Sequence, residues 1–360
     1  MKFILTGGGT GGHIFSAIAT ANEIKQRQPE SEIIFVGSKD YMEMDIIPQA
    51  GYQIIGMNIH RINRFGWWKN YKQPFEIINS LKQSYKIIKQ FKPDAVIGTG
   101  GFATGPILKV AQLRGIPTFI QEHNAYPGIT TRLLAKKATR IHTAYREINQ
   151  YFDSDKILLT GNPVRQDLND GLPDQRQSKV GLGLFPDRPT LVIIGGSRGA
   201  EPVNKIVIEI FPKLKKKEIQ VFLQTGKKLY HTYQNFQDSH IKIVPFVDDI
   251  PKVLAAADVI ISRAGAMSIA ELALIGKPSI LIPDTFSEQG HQDYNAEALE
   301  KSGAAVCIQE ADMSEKLLPA IQKLFDNASY SEQLGKNITK FAFPNATQDI
   351  VNDILKHLNT

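Results

Sequence analysis

The chain has 360 residues, 42% hydrophobic and 22% charged, with a single cysteine. Its length suits two domains rather than one, its composition excludes a disordered or fibrous chain, and one cysteine excludes an internal disulfide and points to a reducing cytoplasm. The net charge of +6 is uneven, +8 in residues 1–163 and −2 in the remainder, so the first half suits nucleic acid, an anionic membrane or a phosphorylated substrate.

The first run, "KFILT", reads as a strand that ends in glycines. It is too short for a signal-peptide core, and no later segment approaches a membrane span, so a secreted or membrane-spanning chain is not expected. Further strands are read at "EIIFVG", "DAVIG", "PTFIQ" and "RIHTA", with helical periodicity between them, as in "IINSLKQSYKIIKQF". The stretch 169–189, rich in Gly, Pro and charge, reads as a linker region. The strand pattern then restarts at "TLVIIGG", "IQVFLQTG", "IKIVPF", "DVIIS", "PSILIP" and "AAVCI". Alternating strands and helices of this kind predict α/β architecture with parallel sheets. The expected domains are 1–163 and 164–344, with the amphipathic helix 345–358 a candidate to join the first.

Three glycine clusters follow strands and lead into helices: Gly7–Gly12, Gly98–Gly105 and Gly195–Gly199. Glycine lets a backbone approach a ligand closely, and helix N-termini favour phosphate. Gly7, Gly9 and Gly12 match the G-x-G-x-x-G dinucleotide pattern. That pattern also needs an acid at the end of the second strand. Here the strand ends at Gly37 and Ser38, and Asp40 comes about a turn late. His13 stands where a Walker lysine would be required. A first-turn histidine is held neutral by the helix dipole, which suits a base or a hydrogen-bond donor.

Further along, "SRAGAMSIAEL" predicts a strand end, a small-residue turn and a helix opening near Ala266. Glu271 lies about a turn inside, where a carboxylate can bind paired hydroxyls. Gln289, His291, Gln292 and Asn295 follow as polar groups suited to a sugar. Asp153 and Asp155 mimic the D-x-D motif of metal-dependent glycosyltransferases, but no metal site is expected there or elsewhere.

The segments "GGGTGGH", "GTGGFATGP", "QEHNAYPG", "GNPVR", "GGSRGA", "SRAGAMSIAE" and "GHQDYNA" fall in order along nearly the whole chain. Together they resemble the MurG family of peptidoglycan N-acetylglucosaminyltransferases. The resemblance implies a GT-B fold, two Rossmann-like doubly wound domains facing across a cleft. It implies inverting, metal-independent transfer of N-acetylglucosamine from UDP-N-acetylglucosamine to the 4-hydroxyl of N-acetylmuramic acid in lipid I, giving lipid II, with no cofactor. On matching positions, Thr10, Gly11, Gly12 and Asn124 would contact the donor sugar, and Arg165 and Ser197 the nucleotide and its diphosphate. Val247 would hold the uracil through its backbone, Ala266, Met267 and Ser268 would line phosphate and ribose, Glu271 would take the ribose hydroxyls, and Gln292 the sugar. His13 is the expected base and Glu122 the second candidate. "QEHN" reads H-E-Q-N in some relatives, so His123 does not match the family's histidine. The segment before "HQDYNA" varies in length, and Gln292 matches better than Gln289.

A lipid acceptor requires a bilayer. Trp67 and Trp68, with Phe65, Tyr71, Arg61, Arg64, Lys69 and Lys72, suit an anionic interface, and Lys82, Lys86 and Lys89 continue the charge. A peripheral enzyme at the cytoplasmic face of the bacterial inner membrane is expected. Basic–aromatic interleaving also suits RNA, but no nucleic-acid module accompanies it, and no nucleic-acid partner is expected. The competing readings are another UDP-sugar enzyme of the same fold (a glycolipid glycosyltransferase or a UDP-N-acetylglucosamine epimerase), a nicotinamide oxidoreductase, and a non-catalytic nucleotide-binding scaffold.

Overall fold

The computed structural model describes residues 1–59, 73–169, 171–196, 199–287 and 290–359. It divides into two units, Met1–Val164 with Asn345–Thr360, and Arg165–Pro344. The first unit runs β1 (Lys2–Gly7), α1 (Gly11–Arg27), β2 (Glu32–Ser38), α2 (Glu43–Gln49), β3 (Gln53–Met57), α3 (Gln73–Phe91), β4 (Ala95–Gly100), α4 (Thr104–Leu113), β5 (Thr118–Glu122), α5 (Ile129–Leu134), β6 (Arg140–Thr143) and β7 (Ile157–Leu159). The second runs α6 (Gln175–Gly181), β8 (Thr190–Ile194), α7 (Glu201–Lys216), β9 (Gln220–Gln224), α8 (Tyr230–Tyr233), β10 (Ile241–Val244), α9 (Ile250–Ala256), β11 (Val259–Ser262), α10 (Ala266–Ile275), β12 (Ser279–Leu281), α11 (His291–Lys301), β13 (Val306–Cys307), α12 (Met313–Asp326) and α13 (Ala328–Ile338). The chain then returns to the first unit as α14 (Ala346–Leu358).

The first sheet has seven strands in the order β3-β2-β1-β4-β5-β6-β7, the second six in the order β10-β9-β8-β11-β12-β13. The ladders between these strands are parallel. Sheets covered on both faces need strands that are apolar on both sides, which is why the inner strands read as unbroken apolar runs. Phe3, Ile4 and Leu5 of β1 are fully buried, as are Leu191 and Val192 of β8. The edge strands β3 and β7, absent from the sequence reading, are short and, Met57 apart, not fully buried. In each sheet the strand order reverses between two central neighbours, β1 and β4 or β8 and β11. Ligands of such sheets bind beyond the carboxyl ends at that reversal, where the three glycine clusters and the turn before α10 fall.

The stretch 169–189 is not a bare linker. Asp174 caps α6 by accepting the Gln177 N–H at 2.8 Å. Lys179 of that helix, 6% exposed, pairs with Asp258 at 2.9 Å. A seven-residue helix shows too little periodicity to be read from sequence, and these polar anchors hold it to the second unit.

The C-terminal helix docks on the first unit by an apolar stripe and a polar clip. Ile350, Val351 and Ile354 pack with Phe3, Leu5, Ile14 and Phe119; each buried aliphatic side chain contributes roughly 1.5–3 kcal/mol. His142 Nε2 lies 2.9 Å from Asp353 Oδ2, and Arg140 Nε lies 3.4 Å from the same oxygen. Burial pushes the Asp353 carboxyl up, but the His142 hydrogen bond and the His142 and Arg140 charges hold it below the usual range. Burial lowers His142, and Asp353 only partly opposes this. In both cases the unfolded chain takes up its proton first, so stability falls as pH drops below about 6.5. Asp353→Asn is expected to cost about 1–2 kcal/mol at neutral pH and, by removing the group that holds the His142 imidazole up, to steepen the loss of stability from pH 7 to pH 5, as measured by urea melts across that range.

Candidate functional site

In the first unit, two glycine loops meet at the carboxyl ends of β1 and β4. The Gly8 N–H donates to the Gly100 carbonyl at 3.1 Å. Gly101 has φ +99°, and a Cβ there would stand 2.7–2.9 Å from the Gly8 backbone, so no larger residue allows the approach. His13, in the first turn of α1, packs its ring across Gly100, where a Cβ would lie 2.4 Å from the imidazole. Thr99 Oγ1 donates to the His13 carbonyl at 2.7 Å, tying that turn to β4. Thr10 caps α1 in an extended conformation without a side-chain capping bond and is exposed, and Gly11 and Gly12 form the first helical positions.

His123 meets the His13 ring edge-on, with centroids 5.2 Å apart. Burial and the neighbouring His13 hold His123 well below the usual imidazole range, so it is neutral. Its backbone is fixed by Asn162, whose Nδ2 donates to the His123 carbonyl at 3.0 Å. Glu122 is also buried, and its oxygens accept from Asn124 N at 3.2 Å, Asn124 Nδ2 at 3.3 Å, Gly128 N at 2.9 Å and Thr131 Oγ1 at 2.6 Å. With its oxygens committed to these donors, the evident work of Glu122 is to hold the segment 124–131. Sequence placed Glu122 near the chemistry, but only the loop that folds over it supplies these donors.

In the second unit, Gly265 opens α10 in an extended conformation with no side-chain cap, and Ala266, Met267 and Ser268 make the half-buried first turn. The buried Asn295 of α11 donates to the Ala264 carbonyl at 3.2 Å, fixing the turn before α10. Arg263, missed in the sequence reading, donates to the Ile282 and Pro283 carbonyls at 3.2 and 3.1 Å and pairs with Glu310. It locks the ends of β11 and β12 together. Lone arginines carry no pattern, so nothing in the sequence singled it out.

Arg165 and Glu271, distant in sequence, come together. Arg165 Nε lies 3.4 Å from Glu271 Oε1, and Asp167 is 3.8 Å from the same guanidinium. Burial, aided by Asp167, raises the Glu271 carboxyl to about 7 against the pull of Arg165. Val247 is buried beside the exposed Phe246. Gln292 Oε1 accepts the Asp284 N–H at 2.9 Å, so its carboxamide is oriented by backbone. Ser197, Gln289, Trp67 and Trp68 lie outside the described residues, as do Arg61, Arg64, Phe65, Lys69, Tyr71 and Lys72. Among the described residues, no group of three or more His, Cys, Asp or Glu is placed to hold a metal ion, and no helix is long and apolar enough to cross a membrane.

The sequence matches the glycosyltransferase family 28 N-terminal domain over residues 3–143 and the family 28 C-terminal domain over residues 190–350. It is 45% identical to a UDP-N-acetylglucosamine–N-acetylmuramyl-(pentapeptide) pyrophosphoryl-undecaprenol N-acetylglucosamine transferase of Flavobacterium psychrophilum, over 99% of this chain and 97% of that one. A protein of the same name from Christiangramia forsetii is 43% identical over 100% and 98%. The crystal structure of Acinetobacter baumannii MurG matches with a TM-score of 0.81 and 28% identity, covering 99% of each chain. A UDP-GlcNAc 2-epimerase from Neisseria meningitidis, bound to UDP-GlcNAc, shares the fold with a TM-score of 0.68 and 16% identity, over 99% of this chain and 100% of that one.

The raised Glu271 carboxyl has a sign. The folded protein holds that proton above the ordinary carboxyl value of 4.5, so stability falls as pH rises from about 4.5 to about 7. Glu271→Gln is expected to raise Tm by about 2 °C or more at pH 8 and to leave it unchanged at pH 4.5, read by scanning calorimetry.

Proposed function

This chain belongs to the MurG family of peptidoglycan N-acetylglucosaminyltransferases within glycosyltransferase family 28, and on that premise we propose that its two units divide the reaction between donor and acceptor. The enzyme transfers N-acetylglucosamine from UDP-N-acetylglucosamine to lipid I, forming lipid II. The second unit takes the donor nucleotide. The observation that carries this division is the convergence of Arg165 and Glu271 beside α10. A carboxylate there can accept both hydroxyls of a ribose, while the first turn of α10 and the guanidinium offer positive potential to a diphosphate. Ribose binding would compete with Arg165 for Glu271 and release the guanidinium toward the phosphates. Val247, Ser197, Ala266, Met267, Ser268 and Gln292 complete the donor set, and Thr10, Gly11, Gly12 and Asn124 meet the donor sugar.

His13 is the base. As the 4-hydroxyl oxygen of the acceptor bonds to the anomeric carbon, the bond from that carbon to the UDP oxygen breaks, and the hydroxyl proton passes to the imidazole. Attack opposite the leaving group inverts the centre. Negative charge develops on UDP, and Arg165 with the α10 N-terminus stabilises it, so the step needs no metal. His13 is preferred to Glu122 because the Glu122 oxygens are already filled.

Titration calorimetry in EDTA should show binding of UDP-N-acetylglucosamine and none of NADH. Turnover assays with lipid I should show His13→Ala lowering kcat about 100-fold or more with donor Kd within about twofold. NADH binding without sugar-nucleotide binding would overturn the function; epimerised sugar released without lipid I would make the protein an epimerase; wild-type kcat in His13→Ala would remove His13 as the base.

The acceptor is reached from the membrane surface, at the cytoplasmic face of the inner membrane, through Trp67, Trp68 and their basic neighbours. Exposure of Phe75, Ile77 and Ile78 at the start of α3, with exposed Lys82, Lys86 and Lys89 following, supports this. Replacing both tryptophans by Ser should reduce sedimentation with anionic liposomes severalfold, and undiminished binding would retire the patch.

A further inference from the structure

The first glycine loop rests on a buried carboxyl group that the transfer step does not use. Glu43, the first residue of α2, is 1% exposed. Its Oε2 accepts the Gly9 N–H at 3.0 Å, and its Oε1 accepts the Ser38 N–H at 3.1 Å. The carboxylate thus bridges the turn after β1 to the end of β2, two strands paired side by side. It also fills the space left by two absent side chains. A Cβ at Gly8 would stand 2.2 Å from Glu43 Oε1, and one at Gly37 would stand 2.8 Å from its Cγ. Gly8 and Gly37 leave room for the Glu43 side chain to pass between them.

In a dinucleotide-binding sheet, the ends of these two strands are where loop amides meet a pyrophosphate and an acid meets a ribose. Here the protein's own carboxylate occupies that place. A phosphate arriving there would find the Gly9 donor taken and a fixed negative charge beside it. The amides of Gly11 and Gly12, at the start of α1, lie beyond the bridge. Two hydrogen bonds to one ionised group, shielded from water, make a stiff link.

We infer that Glu43 is a positioning residue: its bridge between Gly9 and Ser38 sets the turn on which Thr10–His13 ride, and it bars a nucleotide from that end of the first sheet. This role rests on His13 acting in the transfer. It operates through the loop, so it shows in turnover and not in affinity for UDP, the part of the donor that the second unit holds.

Glu43→Gln keeps the shape but turns one accepting oxygen into an amino group facing an N–H donor. Steady-state kinetics with lipid I, normalised to UDP-binding sites counted by calorimetry, are expected to show kcat per site at least about tenfold lower. UDP affinity should stay within about twofold of wild type. A merely structural residue would lower Tm and the number of sites while leaving kcat per site unchanged, and that result overturns the role. If the Gln variant does not fold, Glu43→Asp, charged but too short to span both amides, should show the same loss to a smaller degree, and full kcat per site in it is equally decisive. A wild-type protein unable to glycosylate lipid I would instead overturn the transferase reading; an active wild type with an equally active variant overturns only the role of Glu43.

Discussion

The first unit depends on a backbone approach that side chains would forbid. Gly8 and Gly100 join by a hydrogen bond of 3.1 Å, and Gly101 lies so close to Gly8 that any Cβ would collide. This contact brings the ends of β1 and β4 together at the reversal of strand order. It also leaves a flat glycine surface on which the His13 ring lies. A methyl group at Gly100 would displace the imidazole directly, so the loop's composition and the histidine's position are one requirement.

Around that contact, polar groups are settled by backbone rather than by solvent. Glu122 gathers the amides of the following loop, Thr99 holds the first turn of α1, Asn162 anchors His123, and Glu43 ties β1 to β2. The second unit repeats the strategy with other residues. Asn295 and Arg263 fix the turn at the start of α10, and Gln292 fixes its own carboxamide on Asp284. Such buried, hydrogen-bonded networks are rigid. They fix the loops and turns at the carboxyl ends of the strands.

Arg165 and Glu271 make the opposite arrangement. Their pairing is loose, at 3.4 Å, and Glu271 bears a carboxyl raised to about 7. A group kept in an unfavourable protonation state by its surroundings is poised for a partner that improves them. The Arg165–Glu271 pair is thus held at a cost in stability, while the glycine loop of the first unit is braced.

The doubly wound class, the inner strands and the glycine clusters were legible in the sequence, because a strand buried on both faces must be an apolar run and a close approach must be glycine. The opening G-x-G-x-x-G was legible too, but its meaning was not. Read locally it asked for an acid near the end of β2, and Asp40 failed the test; the acid present is Glu43, which reaches back from the next helix to fill the site from within. Nor could the sequence say that Glu122 would spend its lone pairs on residues 124–131, that Arg165 would find Glu271, or that α14 would clip to His142 through Asp353. Periodicity and turn chemistry are local and leave a trace in a short window of residues. Hydrogen-bond partners separated by a hundred residues leave none, and only the packed chain decides them.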